Sequence, residues 1–484
     1  MVFVFLAGSA CQPKESVKES HPDEVLYRAW VAFNDKGNLS TKQKERSYKK
    51  LERTFPERAL ERRKKRRTAP GLFDEHDLPI PEKYLDALET AGAEIRIRSN
   101  WLNGTSVVAS QDQLQRIANY SFVKEVTDRY IYVPDRSELV DESAPVNRGP
   151  EDRQAEAFPD FEQQFYGLSR NQVDMIGLHG LHKNDFTGRG IRIGVLDTGF
   201  FLGHKAFNHP DHPTRIIAQW DLVNNDSITD VEAQDAIGQH VHGSFILGTL
   251  ASYVPFELVG TAYEAEYILC KPEDALEEYP LEEKWFVAAL EYAEKMGADI
   301  ITSSLVFYHH YSSEEMDGQT SVMTQGWNIA TRNGVIGFEG SGNYGHDTDP
   351  ALPHLEVPAD ALDVITVGAT RPDRTMAVFS SDGPTADGRL KPEVVCQGQS
   401  VYTVSPFGAE LYTTASGTSL ATPQMAGATA CLLQALPDLS LVELRQLIFE
   451  SGDYYREHGR PDSLFIRGYG VPDFKRILED ENEE

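Results

Sequence analysis

Apolar positions in the first third of the chain fall into short runs separated by polar, helix-forming stretches. Tyr27 to Phe33 reads as a strand, and Thr41 to Arg67 as a helical stretch ending in Glu61-Arg62-Arg63-Lys64-Lys65-Arg66-Arg67. Pro81 to Ala91 supplies another helical turn or two. Glu94 to Arg98 and Ser106 to Ala109 flank Asn103-Gly104, a pair that accepts the positive φ angles of a tight hairpin. Asp112 to Asn119 predicts a short helix and Val123 to Val133 a closing strand. The order strand, helix, strand, strand, helix, strand describes a small α+β domain. Its basic run is expected to be a solvated helix face rather than a processing site.

Pro134 to Asp160 loses all periodicity and is rich in Asp, Glu, Ser, Pro and Arg, so it predicts an exposed linker where a protease would cut. Beyond it the pattern changes. Ile191 to Leu196, Ile300 to Leu305, Val335 to Phe338 and Val364 to Val367 are apolar runs with helical stretches between them, such as Leu281 to Met296. Buried strands alternating with helices predict an α/β fold with a mainly parallel sheet and helices on both faces, a three-layer arrangement. In such sheets, sites form at the carboxyl ends of the strands.

The chain has 484 residues, enough for a large α/β domain and a smaller one. Its net charge of -29 is unevenly spread: residues 1 to 150 carry 25 Lys and Arg against 23 Asp and Glu, the remainder 21 against 52. So acidic a body argues against nucleic-acid binding. The four cysteines, Cys11, Cys270, Cys396 and Cys431, lack the spacing of a zinc site or a disulfide scaffold, and the last three are expected to be buried thiols. No apolar stretch reaches the length of a membrane span. Met1 to Ala10 runs into Gly8-Ser9-Ala10-Cys11 and resembles the end of a bacterial lipoprotein signal without its basic start. Export is therefore expected, to the cell envelope through a lipid on Cys11 or to the extracellular space.

Three segments carry candidate chemistry. Asp197-Thr198-Gly199 follows the strand Ile191 to Leu196 directly, which places a carboxylate at a strand end. His242-Gly243-Ser244 opens the apolar stretch Phe245 to Leu250 and presents an imidazole at a helix start, with His240 as a decoy two residues earlier. Gly417-Thr418-Ser419-Leu420-Ala421-Thr422-Pro423 precedes an apolar helix from Gln424 to Ala435, so Ser419 sits near the positive end of a helix dipole, where an oxyanion is favoured. Each segment alone has a structural explanation as a turn or a cap.

Together, in the order Asp, His, Ser, they resemble the subtilisin-like serine peptidases. Tyr166-Gly167-Leu168-Ser169, Gly340-Ser341-Gly342-Asn343 and Phe379-Ser380-Ser381-Asp382-Gly383-Pro384 extend the likeness over about residues 160 to 476. The resemblance implies a serine endopeptidase acting on proteins or peptides and needing no cofactor. Ser419 would be its nucleophile, His242 the base and Asp197 the group that orients the imidazole. Asn343 would donate to the oxyanion. It implies a division into a signal and tether (1–23), an inhibitory propeptide (24–133), a linker holding the maturation site (134–160) and a peptidase domain (161–484).

Ser304-Leu305-Val306 and Gly340-Ser341-Gly342 match the walls of the family's primary specificity pocket, with Val306 where a glycine is usual. Glu356, counted back from Pro358-Ala359-Asp360, falls at its floor and implies a preference for Lys or Arg before the scissile bond. His204, His209, Asp211 and His212 are read as solvated loop residues, and no metal is assigned, structural calcium being unsupported by any loop of recognisable spacing. Two other readings stay open: a silent surface lipoprotein that binds peptides, and a nucleotide-binding α/β enzyme, which lacks a glycine-rich phosphate loop.

Overall fold

The computed structural model describes residues 25–132, 164–276, 278–307 and 311–483. Cys11 and the linker 134–160 lie outside the described residues. The amino-terminal unit comprises β1 (Leu26–Phe33), α1 (Thr41–Thr54), α2 (Glu57–Arg66), α3 (Glu82–Thr90), β2 (Glu94–Ser99), β3 (Gly104–Ser110), α4 (Gln111–Ala118) and β4 (Val123–Ile131). Its strands form an antiparallel sheet in the order β2-β3-β1-β4.

The stretch expected as one helix from Thr41 to Arg67 is two. Pro56 pushes the preceding residue out of the helical region, and Phe55 is accordingly extended, with φ -72° and ψ 145°.

The body is built on a seven-stranded sheet of β5 (Arg192–Leu196), β6 (Arg215–Asp221), β7 (Glu266–Lys271), β8 (Ile300–Ser303), β9 (Ile336–Gly340), β10 (Ile365–Thr370) and β11 (Val394–Gln397). All its pairings are parallel, in the order β11-β10-β9-β8-β5-β7-β6. Successive residues along each strand face opposite layers, and both layers are apolar: Ile193, Val195, Leu269, Ile300 and Phe338 pack on one side, Leu196, Ile268, Cys270 and Ile301 on the other. Helices α5 (Val241–Ala251) and α8 (Thr418–Ala435) cover the first face; α6 (Glu282–Lys295) and α7 (Val322–Arg332) cover the second. Sequence order reverses at β5, where the chain winds outward to β6 and then resumes at β8 on the other side. That reversal opens a crevice at the carboxyl ends of β5 and β8.

The two central strands of the amino-terminal sheet, β1 and β3, are buried on both faces. In β1, Ala29, Val31 and Phe33 turn to the unit's own helices, while Trp30 and Ala32 join Ile97 and Trp101 in packing on the body. This contact is centred on α6, whose Glu291 and Glu294 lie three residues apart and so share a face. Glu291 accepts from Ser99 Oγ (2.9 Å) and from the Asn100 and Trp101 backbone N–H groups (3.2 and 3.1 Å).

Glu294 is buried between two arginines of α2. Arg63 donates from Nε at 2.7 Å and from Nη2 at 2.9 Å, and Arg62 pairs with it while also donating to the Glu294 and Ala298 carbonyls at 2.9 and 2.7 Å. Burial opposes its charge, but the two guanidinium groups hold the Glu294 carboxyl below the usual carboxylate range. The basic run is therefore not a solvated helix face. Arg62, Arg63 and Arg66 are all buried, because the run meets acceptors on the body.

Removing one partner from a buried ion network strands the other charges, at about 3–5 kcal/mol. Glu294→Ala is expected to release the amino-terminal unit before the body unfolds in a denaturant titration, read from the fluorescence of Trp30 and Trp101 at the contact. A single transition at the wild-type midpoint would contradict this.

Candidate active site

Three strand ends and two helix starts converge at the crevice. Asp197 follows the last residue of β5 and is fully buried. Its Oδ1 accepts from the Thr198 backbone N–H (2.8 Å) and from His242 Nδ1 (2.8 Å), which fixes the imidazole with its Nδ1 proton toward the carboxylate. Asp197 Oδ2 has no hydrogen-bond partner among the described residues.

His242 is the second residue of α5, and Gly243 beside it is required by contact: a Cβ there would lie 2.2 Å from the Gly199 carbonyl oxygen and 3.0 Å from Asp197 Cβ. Burial lowers the basicity of His242, yet the charge and hydrogen bond of Asp197 outweigh it, so its pKa lies above the ordinary histidine value. His240 takes the cap position of the same helix and accepts Ser244 Oγ through its carbonyl at 2.6 Å.

Ser419 is the second residue of α8, which begins at Thr418, six residues before the expected Gln424. Pro423 thus lies in the second turn, and it cannot donate to the carbonyl four residues back, that of Ser419. Ser304 supplies the missing donor: its Oγ bonds Ser419 O at 3.1 Å. Asn343, just beyond β9, uses its side-chain oxygen to accept the Thr418 backbone N–H at 2.9 Å, which leaves its NH2 group for other partners.

His242, Asn343 and Ser419 line one cavity of about 420 Å3 together with Ser304, Leu305, Val306 and Gly340. Ser341 and Gly342 lie behind this lining. Ser341 is buried and donates from Oγ to Ser381 O at 2.9 Å. Gly342 has φ +107°, and a Cβ on it would be 2.3 Å from Glu356 Oε2, so both backbone and space demand glycine.

Glu356 is buried against this wall, and neither of its carboxylate oxygens makes a well-formed hydrogen bond among the described residues. Burial pushes its pKa up to about 8, the Asn343 backbone N–H opposing and the charge of Glu278 assisting.

Thr198, Phe245, Glu273, Ala415 and Ser416 also line the cavity and were not singled out in the sequence. Glu273 was legible by the rule that found Asp197, since it stands two residues after the end of β7 at the same sheet edge. Burial and the charge of Asp197 raise it to about 8, despite the opposing imidazole of His242.

The loop histidines are not uniformly solvated. His204 is fully buried, with Nε2 bonded to Leu411 O at 2.8 Å and Nδ1 accepting the Ala206 N–H at 3.1 Å. Among the described residues, Asp221, Glu232 and Asp235 converge closely enough to hold a cation, and the Lys271 ammonium stands there, 2.7 Å from Asp221 and 2.6 Å from Asp235. Cys270, Cys396 and Cys431 are buried free thiols, as expected.

Residues 188–470 match the model of the subtilase family, Peptidase S8, and residues 28–141 that of the Peptidase S8 propeptide domain of Bacteroidota. The serine protease AprX of Bacillus subtilis is 28% identical over 300 residues, which cover 56% of this chain and 63% of that protein. The human membrane-bound transcription factor site-1 protease is 30% identical over 307 residues, 61% of this chain but 25% of its own length.

Among solved structures, the epidermin leader peptide processing serine protease of Staphylococcus aureus superposes with a TM-score of 0.59 at 15% identity, covering 95% of this chain and 99% of the other. Fervidolysin of Fervidobacterium pennivorans gives 0.57 at 16% identity, with 95% and 62% covered. At these identities the likeness is one of fold. The chain belongs to the subtilase family, and its fold is a subtilisin-like α/β body preceded by a propeptide domain.

Proposed function

We propose that the protein is a serine endopeptidase made as a self-processing proenzyme, exported and tethered through a lipid on Cys11 or released. The observation that carries the reading is the 2.8 Å contact of buried Asp197 with His242, in the same cavity as a serine at the start of a buried helix.

Ser419 attacks the scissile carbonyl, His242 takes its proton and returns it to the leaving amine, and Asp197 holds the imidazole and stabilises its charged form. A pKa above the ordinary value makes His242 a stronger base for this step. The oxyanion is received by the Asn343 NH2 group, whose orientation follows from its oxygen being engaged by Thr418, and by the Ser419 backbone N–H at the helix start. Maturation falls between Val133 and Tyr166, and the unit of residues 24–133 inhibits the enzyme it leaves.

Ser419→Ala is expected to abolish fluorophosphonate labelling and leave a full-length chain, where the wild type yields a mature amino terminus between Val133 and Tyr166. Amino-terminal sequencing of both forms checks it. Asn343→Ala should keep its label but lose roughly 100- to 1000-fold in kcat, with little change in KM.

Glu356, buried behind the pocket wall with no cationic side chain paired to it among the described residues, favours Lys or Arg before the scissile bond. In the empty pocket it is neutral below about pH 8 and charged above. The ratio of kcat/KM for Arg against Phe substrates should therefore rise as pH increases through about 8, the His242 titration cancelling in the ratio. Glu356→Gln should flatten that rise, and a ratio independent of pH in the wild type would remove Glu356 from specificity.

A further inference from the structure

Glu339 is the last residue but one of β9, fully buried, in a layer that is otherwise apolar around Trp327 and Phe286. A carboxyl there is costly, and the chemistry assigned to Ser419 and His242 makes no use of it. Its surroundings show what it holds. Oε2 accepts the Trp327 indole N–H at 3.0 Å, and Oε1 accepts the Gly340 backbone N–H at 3.2 Å.

Across the parallel ladder Glu339 is paired with Ser303, whose hydroxyl also bonds its carboxyl. Ser303 Oγ in turn accepts the Leu305 backbone N–H at 3.2 Å. On the other edge Ser303 pairs with Leu196, the residue before Asp197. Gly340 and Leu305 both line the cavity, and Gly340 leads on to Asn343. Glu339 reaches Gly340 directly and Leu305 through Ser303.

We propose that Glu339 is a positioning residue that braces the two walls of the primary pocket against each other, through Gly340 N–H on one side and Ser303 with Leu305 N–H on the other. Burial, reinforced by the charge of Asp197, raises the carboxyl well above the usual carboxylate range despite its hydrogen bonds. Both carboxyl oxygens accept N–H groups, so a glutamine amide, with one oxygen, keeps the Gly340 bond only by turning its NH2 group toward the Trp327 indole N–H, and a methyl group keeps neither. The role rests on the peptidase reading, since it supposes that Leu305 and Gly340 hold a substrate side chain.

The test compares wild type, Glu339→Gln, Glu339→Ala and Ser303→Ala, each normalised to its active sites by fluorophosphonate titration, on peptides with Leu or Ala before the scissile bond. A loose wall penalises the long side chain, so Glu339→Ala should lose about tenfold more kcat/KM for Leu than for Ala. Ser303→Ala should lose in the same sense, with Glu339→Gln falling between the wild type and Glu339→Ala. If Glu339→Ala yields no titratable sites, Ser303→Ala decides. An equal loss for both peptides per active site in Glu339→Ala and Ser303→Ala overturns the brace. A wild type that takes no label overturns the peptidase reading and the brace with it.

Discussion

The site depends on how the first turn of α8 is held. Pro423 leaves the Ser419 carbonyl without a helical donor, and a buried carbonyl without a partner is expensive. Ser304 provides that donor from one wall of the cleft, while Asn343 takes the Thr418 N–H from the other. The helix start is thereby stitched to the ends of β8 and β9. Asn343, with its oxygen engaged, keeps its NH2 group as its remaining donor, and Ser419 lies in the first turn of α8, whose N–H groups have no helical acceptor. The proline that would disfavour a helix elsewhere is what lets the pocket wall fix the serine in register.

The docking of the amino-terminal unit follows from charge. A body with 52 acidic and 21 basic residues after position 150 gains little from another neutral surface, but Glu291 and Glu294 on α6 are poorly solvated where the sheet covers them. Arg62 and Arg63 compensate Glu294, and backbone and side-chain donors from Ser99 to Trp101 compensate Glu291. Truncating a charge from such a network costs more than forming it contributes, so its effect is chiefly on orientation and specificity of docking.

Around the cleft, burial leaves carboxyls neutral that would be charged in water. Glu273 and Glu356 both reach about 8, and Glu339 is raised well above the ordinary carboxylate value. For each, the folded value exceeds the unfolded one, so stability is lost as pH rises from the unfolded value toward the folded one. Glu356 shows this over the interval from 4.5 to about 8. A fold that carries this penalty near its site has retained groups that respond to a cation placed beside them.

Strand-length apolar runs ending in Asp197, a histidine before an apolar helix and a serine before a small-residue helix were legible because each depends on neighbours in the chain. So were the parallel sheet, the Asn103-Gly104 hairpin and the two-unit division, which follow from local periodicity and turn chemistry. The sequence by itself determined which residues stand at the carboxyl edge of the sheet. Tertiary structure decided the rest. The run from Glu61 to Arg67 looks like a solvated face until the acceptors on α6 and at Pro437 and Leu439 are brought to it. The true start of α8 depends on a donor 115 positions away. The solvation of Glu356 and Glu339 is set by packing against Gly342 and Trp327, contacts between segments that no window along the chain contains.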